Sequence, residues 1–255
     1  MNLNSLPFVG TFIKRFDHDL STVGMQTAMR NMLKRSGTKL KVTGMTDTLE
    51  KILKTKPVVV VCNHPFEAEV IALIASLPSR DDAYLIVNDN FVGTCPHFDK
   101  FLIPVYLYHR RVALKNRSLY HMLFHILQRR KQYSYEASHE KNIESINTAA
   151  KNVKKGGLVV IFPGVDNKSK HWFKGVGHLI KGLGANTDAY IVKAFVEGTS
   201  QKDVLRIIPY VSTFLPGYKA TFAKPIKIKD FFVNDGKKIT ALIEEQYNSW
   251  IKNMI

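Results

Sequence analysis

Between residues 40 and 228 the spacing of apolar positions switches repeatedly between two periods. Residues 40–44 alternate as a half-exposed strand does, whereas the run Pro57-Val58-Val59-Val60-Val61-Cys62 is continuously apolar, the pattern of a strand buried on both faces. Further strands are expected at 83–87, 103–108, 157–162, 190–196, 206–214 and 219–228. Helices are expected at 47–53, capped by Thr46 or Asp47, and at 68–76, 116–129, 140–154 and 173–183. Strands alternating with helices predict an α/β fold: a mixed, largely parallel central sheet flanked by helices. The last strands follow one another without a helix, so that edge is expected to be antiparallel. A closing helix over 237–253 carries Ile239, Leu242, Ile243, Tyr247, Trp250 and Ile251 on one stripe, which suits packing on the body.

The first residues follow a helical period instead. Leu6, Phe8, Val9, Phe12, Ile13 and Phe16 line one side of a short helix, and a second helical stretch follows over 20–34. Residues 1–56 hold ten Lys and Arg against four Asp and Glu. An apolar face flanked by cations suits a lipid headgroup boundary, and equally a helical pair packed on the main domain. The expected division is an amphipathic, membrane-binding helical segment over 1–38 and an α/β domain over 39–255. Lys14, Arg15, Asp17 and Asp19 interrupt the start too early for a secretory signal, so it reads as mature protein.

Composition adds an electrostatic constraint. The 255 residues contain 37 Lys and Arg against 21 Asp and Glu, a formal net charge of +16. Such a surplus favours an anionic partner: nucleic acid, an anionic membrane or an acidic carrier protein. The cations are scattered, with neither a zinc-finger spacing nor an aromatic RNA-binding signature. Cys62 and Cys95 are too few for a disulfide framework, and a reducing cytosolic setting is the simpler reading. No apolar run approaches the roughly 18 residues a spanning helix needs.

Ligand sites in open α/β sheets lie beyond the carboxyl ends of the strands. Two post-strand segments stand out: Asn63-His64-Pro65-Phe66-Glu67-Ala68-Glu69 and Phe162-Pro163-Gly164-Val165-Asp166-Asn167-Lys168. His64 falls where the buried strand emerges. An imidazole that removes a proton with one nitrogen needs a partner on the other to fix its tautomer, and Glu69 could turn back to supply it. Glu67 is the competing carboxylate, with a solvent-facing charge in the first helical turn as its other reading. Cys95 beside His97 suggests a thiol nucleophile only weakly, because adjacent side chains on an extended segment point apart. His109, His121, His125, His139 and His178 have no ligand spacing, so no metal site is assigned.

Asn63-His64, four residues and then an acid resembles the first motif of the glycerolipid acyltransferases, the superfamily of lysophosphatidic acid acyltransferase, whose acid is Asp. The resemblance implies His64 as general base on the acceptor hydroxyl and Glu69 as the acid that orients it. Residues 101–111 are similar in character to the second motif, which implies acceptor binding by Arg110 or Arg111. Residues 161–169 resemble the third motif, Phe-Pro-Glu-Gly followed by Thr-Arg-Ser, with Phe173-Lys174-Gly175 matching a downstream stretch. Here Gly164 stands for the family's Glu, Val165 for its Gly and Asn167 for its Arg. Asn63, Phe162, Pro163, Gly164, Lys168 and Lys174 join the two arginines as implied substrate contacts. The lysines would replace a planar guanidinium by point charges, so the acceptor need not be glycerol phosphate. Residues 189–196 resemble the fourth motif, with Lys193 near its Pro.

The resemblance covers about residues 40–215 with motif order intact. It implies a peripheral acyltransferase on the cytoplasmic, inner face of a membrane. Acyl-CoA or acyl carrier protein would serve as co-substrate, with no bound cofactor and a lipid or lipid-precursor acceptor carrying a hydroxyl or amine. No nucleic-acid partner is expected. The degraded third motif leaves an alternative, a catalytically impaired relative that binds anionic lipid or acyl carrier protein.

Overall fold

The structure, a computed structural model, describes residues 7–93, 95–106, 133–164, 172–207 and 211–254. Among the described residues the strands are β1 (Leu40–Thr43), β2 (Val58–Cys62), β3 (Ala83–Asn88), β4 (Leu102–Val105), β5 (Leu158–Ile161), β6 (Tyr190–Glu197), β7 (Tyr218–Phe222) and β8 (Ile226–Lys227). They form one sheet in the order β1-β7-β6-β2-β5-β3-β4, with β8 also on β6. Strands β6, β2, β5, β3 and β4 run parallel. β7 and β8 pair antiparallel with β6, as expected for that edge, and β1 runs parallel to β7.

The helices are α1 (Pro7–Ser36), α2 (Asp47–Thr55), α3 (Ala68–Ser76), the single turn α4 (Pro96–Asp99), α5 (Tyr135–Lys154), α6 (Gly175–Leu183) and α7 (Gly236–Lys252). They make two layers, which explains the unbroken apolar run of β2. Val58, Val60 and Cys62 pack with residues of α1, α2 and α3, while Val59 and Val61 pack with α5, α6 and α7 on the opposite face. Thr46 is the cap of α2, its hydroxyl accepting from Leu49 N–H at 3.3 Å.

α1 consists of two helical segments that meet at Gly24, whose non-helical φ of 76° and ψ of 172° suit a residue without Cβ. Phe16, Leu20, Met25, Ala28, Met29, Met32 and Leu33 are buried in the core, with Phe12 and Ile13 packed against it. These residues of the apolar face are therefore covered by the body. Arg30 adds a polar tie, its Nη1 donating to Ala75 O at 3.2 Å and Leu77 O at 2.9 Å at the end of α3.

Two expected strands differ. Residues 201–207 and 211–214 form 3-10 turns where a strand was expected over 206–214. Their organiser is Arg206, 8% exposed, which donates from Nε to Asp203 Oδ1 at 2.7 Å and from Nη2 to Pro216 O at 2.6 Å. The expected strand over 219–228 is divided into β7 and β8. Phe222 pairs with Ala194 but Ile226 with Ile191, so one extra residue lies on this side, a bulge containing Pro225, which has no N–H to donate. The expected strand over 103–108 ends at Val105, and the expected helix over 116–129 lies outside the described residues.

Candidate active site

His64 stands at the carboxyl end of β2, near the middle of the sheet, where the chain bends over 65–67 before α3 begins at Ala68. Glu69 is in the first turn of α3. That position suits a carboxylate, since the helix start presents unpaired N–H groups. Glu69 Oε1 lies 2.5 Å from His64 Nδ1 and accepts from Phe66 N–H at 2.9 Å. Glu, one methylene longer than the Asp of the motif, thus reaches the imidazole while also closing the turn that carries it.

The pair is asymmetric in burial. The Glu69 side chain is 0% exposed and that of His64 24%. Glu69 Oε2 is buried, with no hydrogen-bond partner among the described residues. His64 Nε2 has no partner among the described residues, leaving it available to a ligand. Burial by itself lowers the imidazole's proton affinity, but the hydrogen bond and charge of Glu69, with the charge of Glu67, outweigh it and raise the pKa of His64 above the ordinary 6.5. With Nδ1 bonded to a carboxylate, the tautomer is fixed with its free lone pair on Nε2, the arrangement of a general base.

Other expected residues divide into three groups. The Phe162 ring lies 5.0 Å from that of His64, and Pro163 O accepts from Phe173 N–H at 2.9 Å, so the strand-end segment reaches the dyad. Gly164 continues that segment, while Lys174 is exposed and immediately precedes α6. The carboxamide of Asn63 is engaged with β6: Nδ2 donates to Val196 O at 2.9 Å and Oδ1 accepts from Val196 N–H at 2.8 Å. Its carboxamide ties β2 to β6. Arg110, Arg111 and Lys168 lie outside the described residues.

Lys193 is buried in β6, its amine 3.4 Å from Gln246 O of α7, and burial lowers its pKa. The Cys95 thiol is buried and pushed up to about 11 by desolvation and the charges of Asp17 and Asp99. His97 instead pairs with Asp17 of α1 at 2.8 Å, so the alternative thiol–imidazole pairing is not formed. Among the described residues no group of three His, Cys, Asp or Glu could hold a metal ion.

Sequence reasoning missed Tyr247. It lies on the apolar stripe of α7, 3% exposed, and its hydroxyl accepts from Asn63 N–H at 3.0 Å and donates to Ala194 O at 2.6 Å. The signal available was a hydroxyl on an otherwise apolar stripe, since a buried tyrosine O–H generally finds a partner.

A mostly parallel eight-stranded sheet between two helical layers, preceded by a long N-terminal helix, is a glycerolipid acyltransferase-like fold. Among solved structures the chain is similar to the 1-acyl-sn-glycerophosphate (LPA) acyltransferase PlsC from Thermotoga maritima, at 14% identity and a TM-score of 0.54, over 97% of this chain and 88% of that one. No family model and no curated protein sequence matches.

Proposed function

We propose that this chain is an acyltransferase that moves a fatty acyl group from a thioester on coenzyme A or acyl carrier protein to a hydroxyl or amine of a lipid or lipid precursor. The observation that carries the reading is the 2.5 Å contact between buried Glu69 and His64 Nδ1 at the carboxyl end of β2, with no partner on Nε2 among the described residues. In this mechanism Nε2 takes the acceptor's proton as the acceptor attacks the thioester carbonyl carbon. The resulting oxyanion collapses, the carbon–sulfur bond breaks, and the leaving thiolate recovers the proton from Nε2. Glu69 stabilises the imidazolium during the exchange. No covalent enzyme intermediate is needed.

The reaction is proposed to occur at the surface of an anionic bilayer. Among the described residues no helix is long and apolar enough to cross a membrane. The net charge of +16 favours acidic lipid, and two exposed rings support contact at the catalytic end of the sheet. Phe214, 88% exposed, is in the connection between β6 and β7, with exposed Lys202 in the same connection. Phe173, 56% exposed, follows β5 beside Lys174. Gly164 and Asn167, in place of a Glu and an Arg, favour an acceptor other than glycerol phosphate.

Mass spectrometry of lipids from a host expressing the wild-type chain or His64→Ala tests this reading. A lipid that accumulates only with the wild-type chain identifies acceptor and acyl length together. Identical profiles, joined to binding of anionic vesicles by the purified chain, would establish the non-catalytic alternative.

A further inference from the structure

We infer that Tyr247, on the C-terminal helix, is a positioning residue for His64, because its hydroxyl is inserted into the β2–β6 ladder one residue before that histidine. The inference rests on the acyl-transfer reading only for its kinetic consequences. Val58 to Cys62 pair in parallel with Tyr190 to Ala194, and Tyr190 N–H donates to Pro57 O at 2.9 Å. In a parallel ladder alternate residues of one strand bond to the two neighbours of their partner. Tyr190, Val192 and Ala194 are the bonding residues of β6, and the next bond in sequence would run from Asn63 N–H to Ala194 O.

That bond is replaced by a relay through Tyr247. The hydroxyl accepts from Asn63 N–H at 3.0 Å and donates onward to Ala194 O at 2.6 Å. The following rung is replaced as well, since the peptide groups of Val196 bond to the Asn63 carboxamide rather than to the main chain of β2. Just past the paired Cys62 and Ala194, the chain is therefore joined to β6 through a hydroxyl group rather than peptide to peptide. The next residue, His64, leaves the sheet toward α3, where Glu69 waits. Trp172 and Trp250 fix the tyrosine ring edge-on, with ring centroids 5.0 and 5.7 Å away.

Tyr247→Phe keeps the ring and removes the relay. Asn63 and Ala194 must then close on each other or admit water, and either change moves His64 relative to Glu69. Displacement of a catalytic group by about 1 Å can cost on the order of a hundredfold in rate. The expected result is a fall in kcat of about tenfold to a hundredfold, with KM for the acyl donor unchanged. The His64 titration midpoint, followed by NMR of the imidazole, should fall toward the ordinary value as the Glu69 contact loosens. Asn63→Ala, which removes the other half of the clamp, should move that midpoint in the same direction. Trp250→Phe keeps an aromatic ring against Tyr247 and leaves the relay itself intact, so it should leave the midpoint in place.

The NMR measurement needs no turnover. Absence of acyl transfer by the wild-type chain would defeat the functional reading and leave the positioning test intact. Unchanged titration and kcat in Tyr247→Phe, or equal shifts in Tyr247→Phe and Trp250→Phe, would overturn the inference.

Discussion

At His64 two opposing effects meet on one ring. Desolvation favours the neutral imidazole, and the carboxylate of Glu69 favours the cation more strongly, so the pKa is raised above 6.5. A general base must be neutral to act, so acyl transfer should increase with pH through the raised pKa, placing the acid limb of the rate profile above 6.5. Glu69→Gln removes the opposing carboxylate and leaves the burial. The acid limb should then move to lower pH while kcat falls by about 10²–10⁴-fold. Stability has its own pH signature. Because folding raises the proton affinity of His64, the pair contributes fully below the ordinary histidine value and its contribution is lost as pH rises through the raised one. Thermal melts should therefore show the gap between wild type and Glu69→Gln narrowing as pH increases. An acid limb unchanged by Glu69→Gln would contradict this account of the dyad. His64 and Glu69 were legible because their spacing is local. The contact between Asn63 and Tyr247 was not, because it joins positions far apart in the chain, and only the assembled sheet and closing helix bring them together.

At the level of elements, strands and helices with a clear period were readable close to their ends. β2, β3 and β6 needed no more than apolar runs, and α7 no more than its stripe; the structure adds the cap at Asp235, which accepts from Lys237 N–H at 2.8 Å. The strand expected over 206–214 gives way to the turns at 201–207 and 211–214, where buried Arg206 bonds Asp203 and Pro216. The break between β7 and β8 was visible in Pro225, which a reading of apolar alternation alone passed over. The contact between α6 and α7 gives a sharp test of packing. A Cβ on Gly177 would collide with the Gly236 carbonyl and the Thr240 hydroxyl. Gly177→Ala should therefore cost about 1–3 kcal/mol of stability, measured by denaturant unfolding. A neutral result would show that these helices separate easily, and would weaken the argument that α7 holds a fixed position against β2.

For the whole molecule, sheet direction gathers His64, the segment beginning at Phe162 and the connection bearing Phe214 at one end. The sequence implied this gathering once the parallel order was assumed. It could not show that the described apolar residues of α1 from Phe12 to Leu33 would pack on the body, since period alone does not say what a face meets. A bilayer seat formed by exposed rings and cations should weaken with salt and with loss of the ring. Partition onto anionic vesicles should drop as ionic strength increases, and Phe214→Ser should reduce it about tenfold, the effect of losing roughly 1.4 kcal/mol of burial. Partition indifferent to both changes would move the seat elsewhere. The central claim is narrower, that His64 removes the acceptor's proton in an acyl transfer. Its most direct test is the rate of acylated-acceptor formation by purified wild type and His64→Ala, with the same acyl thioester and with the acceptor identified from the lipid profiles. The account predicts transfer by the wild type and a loss of at least about a hundredfold in kcat/KM for His64→Ala. Equal rates for the two proteins would contradict it.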